Sequence, residues 1–297
     1  MQSAASIAGE PAVPDSNLNP MKVLSIQRHL LSLCLLASIG AAPSMALCSS
    51  MAVASAVSSQ VEDPKPDKRP EIKETLTQLK KYIGNRKGEQ DHDAIGLIDT
   101  LINGEFQQSG PRDRKDIVKQ LSACLKVKRN TSKEGVRDNK LYLAAAVAMG
   151  KMGPESAKEL KSWINHKTHR QDLALQRELI LSLGKVKEGK SIEFLIDLLT
   201  HQRPEVQSAA AEALGYFDDS KNKVRKDIFE EVLKVLGGAK TDVNSDVNDT
   251  VARERYDVIE AAMITTLQVM SGQDLRDPEQ WQRWWNKNKK DDWDEGA

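Results

Sequence analysis

From Pro70 to Met270 the apolar positions of this chain recur with a helical period, and no stretch alternates in the manner of a strand. Three stretches say nearly the same thing: LYLAAAVAMGKM from Leu141, LQRELILSLGKV from Leu175 and VQSAAAEALGYF from Val206. In the last, Val206, Ala209, Ala210, Ala213, Leu214 and Phe217 fall at i, i+3, i+4, i+7, i+8 and i+11, one face of a helix. Each stripe ends in an apolar residue and a glycine: Met149-Gly150, Leu183-Gly184 and Leu214-Gly215. The glycines are 34 and then 31 residues apart, the range of helical solenoids.

Pro-Glu recurs at 70, 154, 204 and 278, and Pro111 follows Gly110. Proline suits the first helical turn, where its missing N–H has no partner to lose, and the glutamate favours the positive end of the helix dipole. These marks predict helices over Pro70–Ile83, Ala94–Ile102 and Pro111–Val127, then the three glycine-ended helices with Ala157, Leu160, Ile164 and Ile192, Leu195, Ile196, Leu199 between them. Val224 to Leu236 and Val251 to Met270 form a last pair. There Gln268 stands where the glycine is expected. The expectation is all-α: eleven helices, as five pairs and a C-terminal helix, with a repeat domain over 70–272 and a Trp-rich capping segment and acidic tail over 273–297.

Residues 1–56 read as an address. Lys22 and Arg28 precede an apolar run from Leu30 to Ile39, too short to span a bilayer comfortably, and small residues follow. This is the pattern of a secretory signal peptide with Met21 as its start, cut after Ala46 or Ala56. Leu47 before Cys48 speaks against a lipoprotein signal. Residues 57–69 are polar with two prolines and predict a disordered linker.

Composition adds little that discriminates. Lysine plus arginine equals aspartate plus glutamate, 43 each, so there is no bulk electrostatic reason to expect nucleic acid or an anionic membrane. The three cysteines lack metal-ligand spacing, and Cys124 sits in an apolar stripe as a packing residue. No P-loop, nucleophile elbow or glycine-rich phosphate loop is present.

The unit apolar-x-x-A-A-x-A-L-G followed by a short loop and a second amphipathic helix resembles HEAT repeats, best at Leu175–Val186 and Val206–Phe217. The segment with Ser271-Gly272-Gln273-Asp274, Asp277, Pro278, Trp281, Trp284 and Trp285 resembles the closing segment of exported bacterial HEAT-repeat proteins. The resemblance implies a right-handed α-solenoid of about five pairs plus a C-terminal capping helix. It also implies a non-catalytic protein- or peptide-binding scaffold, exported to the periplasm or beyond, with no cofactor. In that family the second helix of each pair lines a concave surface, which makes Gln176, Arg177, Gln207 and Ser208 candidate contacts. A bilin-attaching lyase of HEAT-like fold is the enzymatic alternative.

Trp281, Trp284 and Trp285 share one helix face behind an Asp277 N-cap, suited to closing the last apolar face or to stacking a sugar or peptide. Trp293 is expected to be exposed or loosely packed. Asp242, Asn244 and Asp246 alternate as the first ligands of a calcium loop do, but Val247 and Arg253 replace its glycine and glutamate. A solvated loop capped by Asp249 or Thr250 is the other reading, and a calcium-dependent surface module the third functional class. His166, His169 and His201 have no further ligand at zinc spacing.

Overall fold

The computed structural model describes residues 66–129 and 138–294, among which there are eleven α-helices, a few short 3₁₀ and π turns and no strand. The leader expected over 1–56 and the linker up to residue 65 lie outside them. The last four linker residues lie inside and are held. Gly110 N–H donates to the Pro66 carbonyl, and the Asp67 carboxylate accepts from Arg112 N–H at 2.8 Å. Gly110, the N-cap of the following helix, has no side chain to offer, so Asp67 supplies the capping oxygen from a distance. In return Asp113 accepts from the Lys68 and Arg69 N–H groups at 2.9 and 3.1 Å.

The helices are α1 (Pro70–Ile83), α2 (Asp91–Thr100), α3 (Pro111–Lys126), α4 (Lys140–Gly150), α5 (Ala157–Ile164), α6 (Leu173–Lys185), α7 (Ile192–Leu198), α8 (Pro204–Gly215), α9 (Asn222–Ser245), α10 (Thr250–Ser271) and α11 (Pro278–Asn288). Pro70, Pro111, Pro204 and Pro278 each open a helix, as the sequence predicts, while Pro154 opens a 3₁₀ turn that leads into α5. Asp172, Asp249 and Asp277 cap α6, α10 and α11 with their carboxylates.

Odd-numbered α1 to α9 form one layer, A, and even-numbered α2 to α10 another, B, so the molecule is an α-solenoid of five helix pairs. Every B helix packs closely on the next, whereas A helices touch sparsely even where they are long, as in α1 and α3. Unequal spacing of this kind bends a stack toward its tighter layer, here B. Two of the recurrent glycines contribute to the tight side. A Cβ on Gly150 would meet Ser182 Cβ at 2.9 Å, and one on Gly184 would meet the Ala213 carbonyl oxygen at 2.5 Å. Ser182 and Ala213 each lie two residues before the next glycine, so α6 and α8 each press a small residue into the notch of the B helix before.

In α10 the residue at that place is Thr266, whose hydroxyl donates to the Ala211 carbonyl at 2.7 Å. Gln268 stands at the glycine's place in α10, the last B helix among the described residues, where no further B helix packs. Its amide instead donates to Asp274 Oδ1 and the Leu275 carbonyl, closing the turn to α11. In layer A, α11 covers α9. Phe229 of α9 sits among Trp281, Trp284 and Trp285, with ring centroids 5.7, 5.4 and 5.1 Å away.

Two expectations change. The chain from 237 to 245 is helix, because α9 runs on for 24 residues alongside an equally extended α10 of 22 residues. Trp293 is partly buried, its ring centroid 5.4 Å from that of Phe229 and its N–H donating to the Asn288 carbonyl. Arg225 pairs with Asp294 at 2.9 Å and Asn222 bonds Asp292, which seats the tail on α9.

Candidate functional site

A helix in a stack has one face left for solvent, and the glycine sets a common origin for finding it. Counted from Gly150, Gly184, Gly215 and Gln268, the positions ten before, seven before, three before and one after form four rows across α4, α6, α8 and α10. The rows read Lys140, Ala174, Glu205, Val258; Leu143, Arg177, Ser208, Ala261; Val147, Leu181, Glu212, Thr265; and Lys151, Lys185, Tyr216, Val269. All but Leu181 are partly or fully exposed. Basic groups gather toward α4 and α6, and apolar ones toward α10.

Between α6, α8 and α10 this face sinks into an open groove of about 640 Å³. Val258, Ala261, Thr265 and Val269 form one wall, with Gly215 and Tyr216 facing them across α8. Val258 and Val269 are among the few large apolar side chains left exposed, at 36% and 43%. Arg177 donates to Glu212 across the rim at 2.5 Å, and Lys185 Nζ lies 6.0 Å from the Tyr216 ring centroid. Both members of the Arg177–Glu212 pair are about half exposed, so the pair adds little to stability and can be recruited by a ligand. The groove offers an apolar floor, two opposite charges and the Ser208 and Thr265 hydroxyls. It holds no nucleophile activated by a base.

The four sequence candidates separate. Arg177 and Ser208 line this groove. Gln176 and Gln207 do not: both are buried, at 5% and 4% exposure. One residue along a helix is a rotation of about 100°, enough to turn a side chain from the surface into the stack. Gln176 donates to the Ile164 carbonyl at the end of α5, and Gln207 donates to the His201 carbonyl after α7. Tyr142, at the same place in α4, donates to the Val127 carbonyl at 2.8 Å. These side chains satisfy carbonyls left over at the ends of A helices. The groove residues Glu212, Tyr216, Val258, Thr265 and Val269 were missed, although their offset from the glycines is visible in the sequence.

The calcium candidates are dispersed along a helix end. Asp242 and Asn244 belong to α9, and Asp246 follows its last residue. Asp242 pairs with Arg255 of α10 at 3.3 Å. Asp249, the expected cap, accepts from Ala252 N–H at 2.9 Å. Among the described residues no three His, Cys, Asp or Glu side chains converge as a metal site. His169 is buried against Tyr142 and Trp163, with Nε2 2.7 Å from the Leu125 carbonyl oxygen. His166 and His201 each accept a local backbone N–H.

Residues 161–254 match the family model for HEAT repeats. The match opens within α5, ends in the first turns of α10 and takes in the two clearest glycine-ended helices. With the two-layer stack it supports a helical repeat scaffold. No curated protein and no solved structure matches the chain. None of the described helices is long and apolar enough to cross a membrane.

Proposed function

We propose that the chain is a non-catalytic scaffold that binds a protein or peptide segment along the B layer, in the groove between α6, α8 and α10. The observation that carries this reading is the exposed apolar wall of Val258, Ala261 and Val269 opposite Tyr216, rimmed by Arg177 and Glu212. Apolar anchors ringed by a few polar groups are what a peptide with alternating or helical apolar residues fits. The Arg177–Glu212 pair would orient such a segment through backbone or side-chain hydrogen bonds. The leader-like residues 21–56 support a place outside the cytoplasm, in the periplasm or medium, where the scaffold would act.

A photo-crosslinking residue at Ser208, set against one at Glu193 on α7, tests the surface. The proposal expects a defined partner captured from Ser208 alone, and the capture abolished by Tyr216→Ala with Val258→Asp. Equal capture from both positions, or capture indifferent to the double substitution, would sink it.

A further inference from the structure

The splay of layer A opens a second groove, of about 650 Å³, between α1 and α3. Its walls carry Lys73 and Lys80 on α1 and Lys119 and Lys126 on α3, and Leu76 and Ala123 form its half-buried floor. We propose that this groove is a docking site for an acidic amphipathic helix of a partner protein.

Charge and spacing select that occupant. The four lysines are exposed, and none has a carboxylate within ion-pair distance among the described residues. Some basic side chains elsewhere on the solenoid meet acids across repeats, as Arg114 meets Glu155, Lys161 meets Glu188 and Lys187 meets Asp219. Of the acids lining the groove, Asp113 has its carboxylate engaged by the Lys68 and Arg69 N–H groups, which leaves Asp116. A neutral chain therefore presents a locally cationic trough. On both walls the lysines are seven residues apart, about 10 Å along a helix. A third helix laid in the trough repeats its own side chains at the same interval. Its glutamates at i and i+7 on either flank would meet both rims while its apolar stripe covers Leu76 and Ala123. Gln120, on the same α3 face, has a buried amide nitrogen without a partner. No aromatic side chain lines the trough, so it lacks the stacking platform that single-stranded nucleic acid uses.

The test uses the full chain and a dye-labelled synthetic helix of about four turns. Its leucines form one stripe and glutamates flank the stripe at seven-residue spacing. Its scrambled isomer, of equal charge, is the control. Fluorescence anisotropy should show binding of the patterned peptide at least roughly tenfold tighter than of the isomer. The pair Lys73→Glu and Lys119→Glu should weaken it roughly tenfold, and Lys140→Glu with Lys151→Glu on layer B should not. Lys73→Gln with Lys119→Gln gives a smaller loss in the same direction, with an unchanged circular dichroism spectrum separating lost docking from lost fold. No binding, equal binding of the isomer, or equally tight binding of an oligonucleotide of the same charge overturns the proposal.

Discussion

Gly184 and Gly215 occupy the same place in successive helices and answer to different neighbours. A methyl group on Gly184 would meet backbone of α8, which moves only if the two helices separate. Gly184→Ala is expected to cost about 1–3 kcal/mol, read as a lower urea midpoint. On Gly215 the nearest atom to an added Cβ is Thr266 Oγ1 at 3.7 Å, ordinary contact. Gly215→Ala is expected to leave stability unchanged or raise it by up to ~1 kcal/mol through helix propensity. Cys124 is fully buried in the core. Burial pushes its thiol from 9.0 up to about 12. In a Cys34→Ser, Cys48→Ser background it should resist a thiol reagent at neutral pH until the protein unfolds. The folded state keeps this proton while the unfolded state loses it, so the contribution of Cys124 to stability falls as pH rises from about 9 to about 12. Cys124→Ala should flatten the alkaline loss, measured by denaturation across that range. The inward turn of Gln176 and Gln207 was not legible locally. It depends on a carbonyl left at the end of the preceding A helix, which no window around either glutamine contains.

Helix starts were legible because their signals are local: a proline at the first position, a carboxylate before it, an apolar stripe behind. Helix ends were less so. The Asp/Asn-rich run from Thr241 read as a loop, yet α9 continues to Ser245. Tertiary contacts hold the extension, through Asp242 to Arg255 and Lys240 over the Tyr256 ring at 4.8 Å. At the other end of the stack Arg129 is a comparable tie. Its guanidinium grips Asp91 at the start of α2 with two hydrogen bonds of 2.7 and 2.6 Å and also donates to the Ile83 carbonyl closing α1. Because the guanidinium is buried, Asp91→Ala leaves a charge without its counterpart and is expected to cost about 3–5 kcal/mol. Hydrogen exchange should rise first in α1 and α2.

On the scale of the whole molecule, stability runs between neighbours, so its ends need their own devices. Layer A ends in indoles and layer B in Gln268. A chain stopped after Ser271 loses α11 and uncovers Phe229, and should show faster exchange confined to α9 and α10 together with self-association in sedimentation. Solenoid architecture was legible from recurrence alone, since three glycine-ended stripes at near-equal spacing admit few other folds. The candidate groove was legible only by half. Its residues share an offset from the glycines, but that α10 contributes an exposed apolar wall follows from its being last in the row.

The unequal spacing of the two layers also has a mechanical consequence. Along layer B, Gly150 and Gly184 meet Ser182 and the Ala213 backbone with no slack, so those two junctions resist compression. Layer A has open space between its first two long helices. Such a body would flex like a leaf hinged along one edge: the close contacts between B helices are the pivot and the A-side gaps are the travel. An object wedged between α1 and α3 takes up that travel, and so fixes from the outer side the angle at which the first inner helices stand to one another.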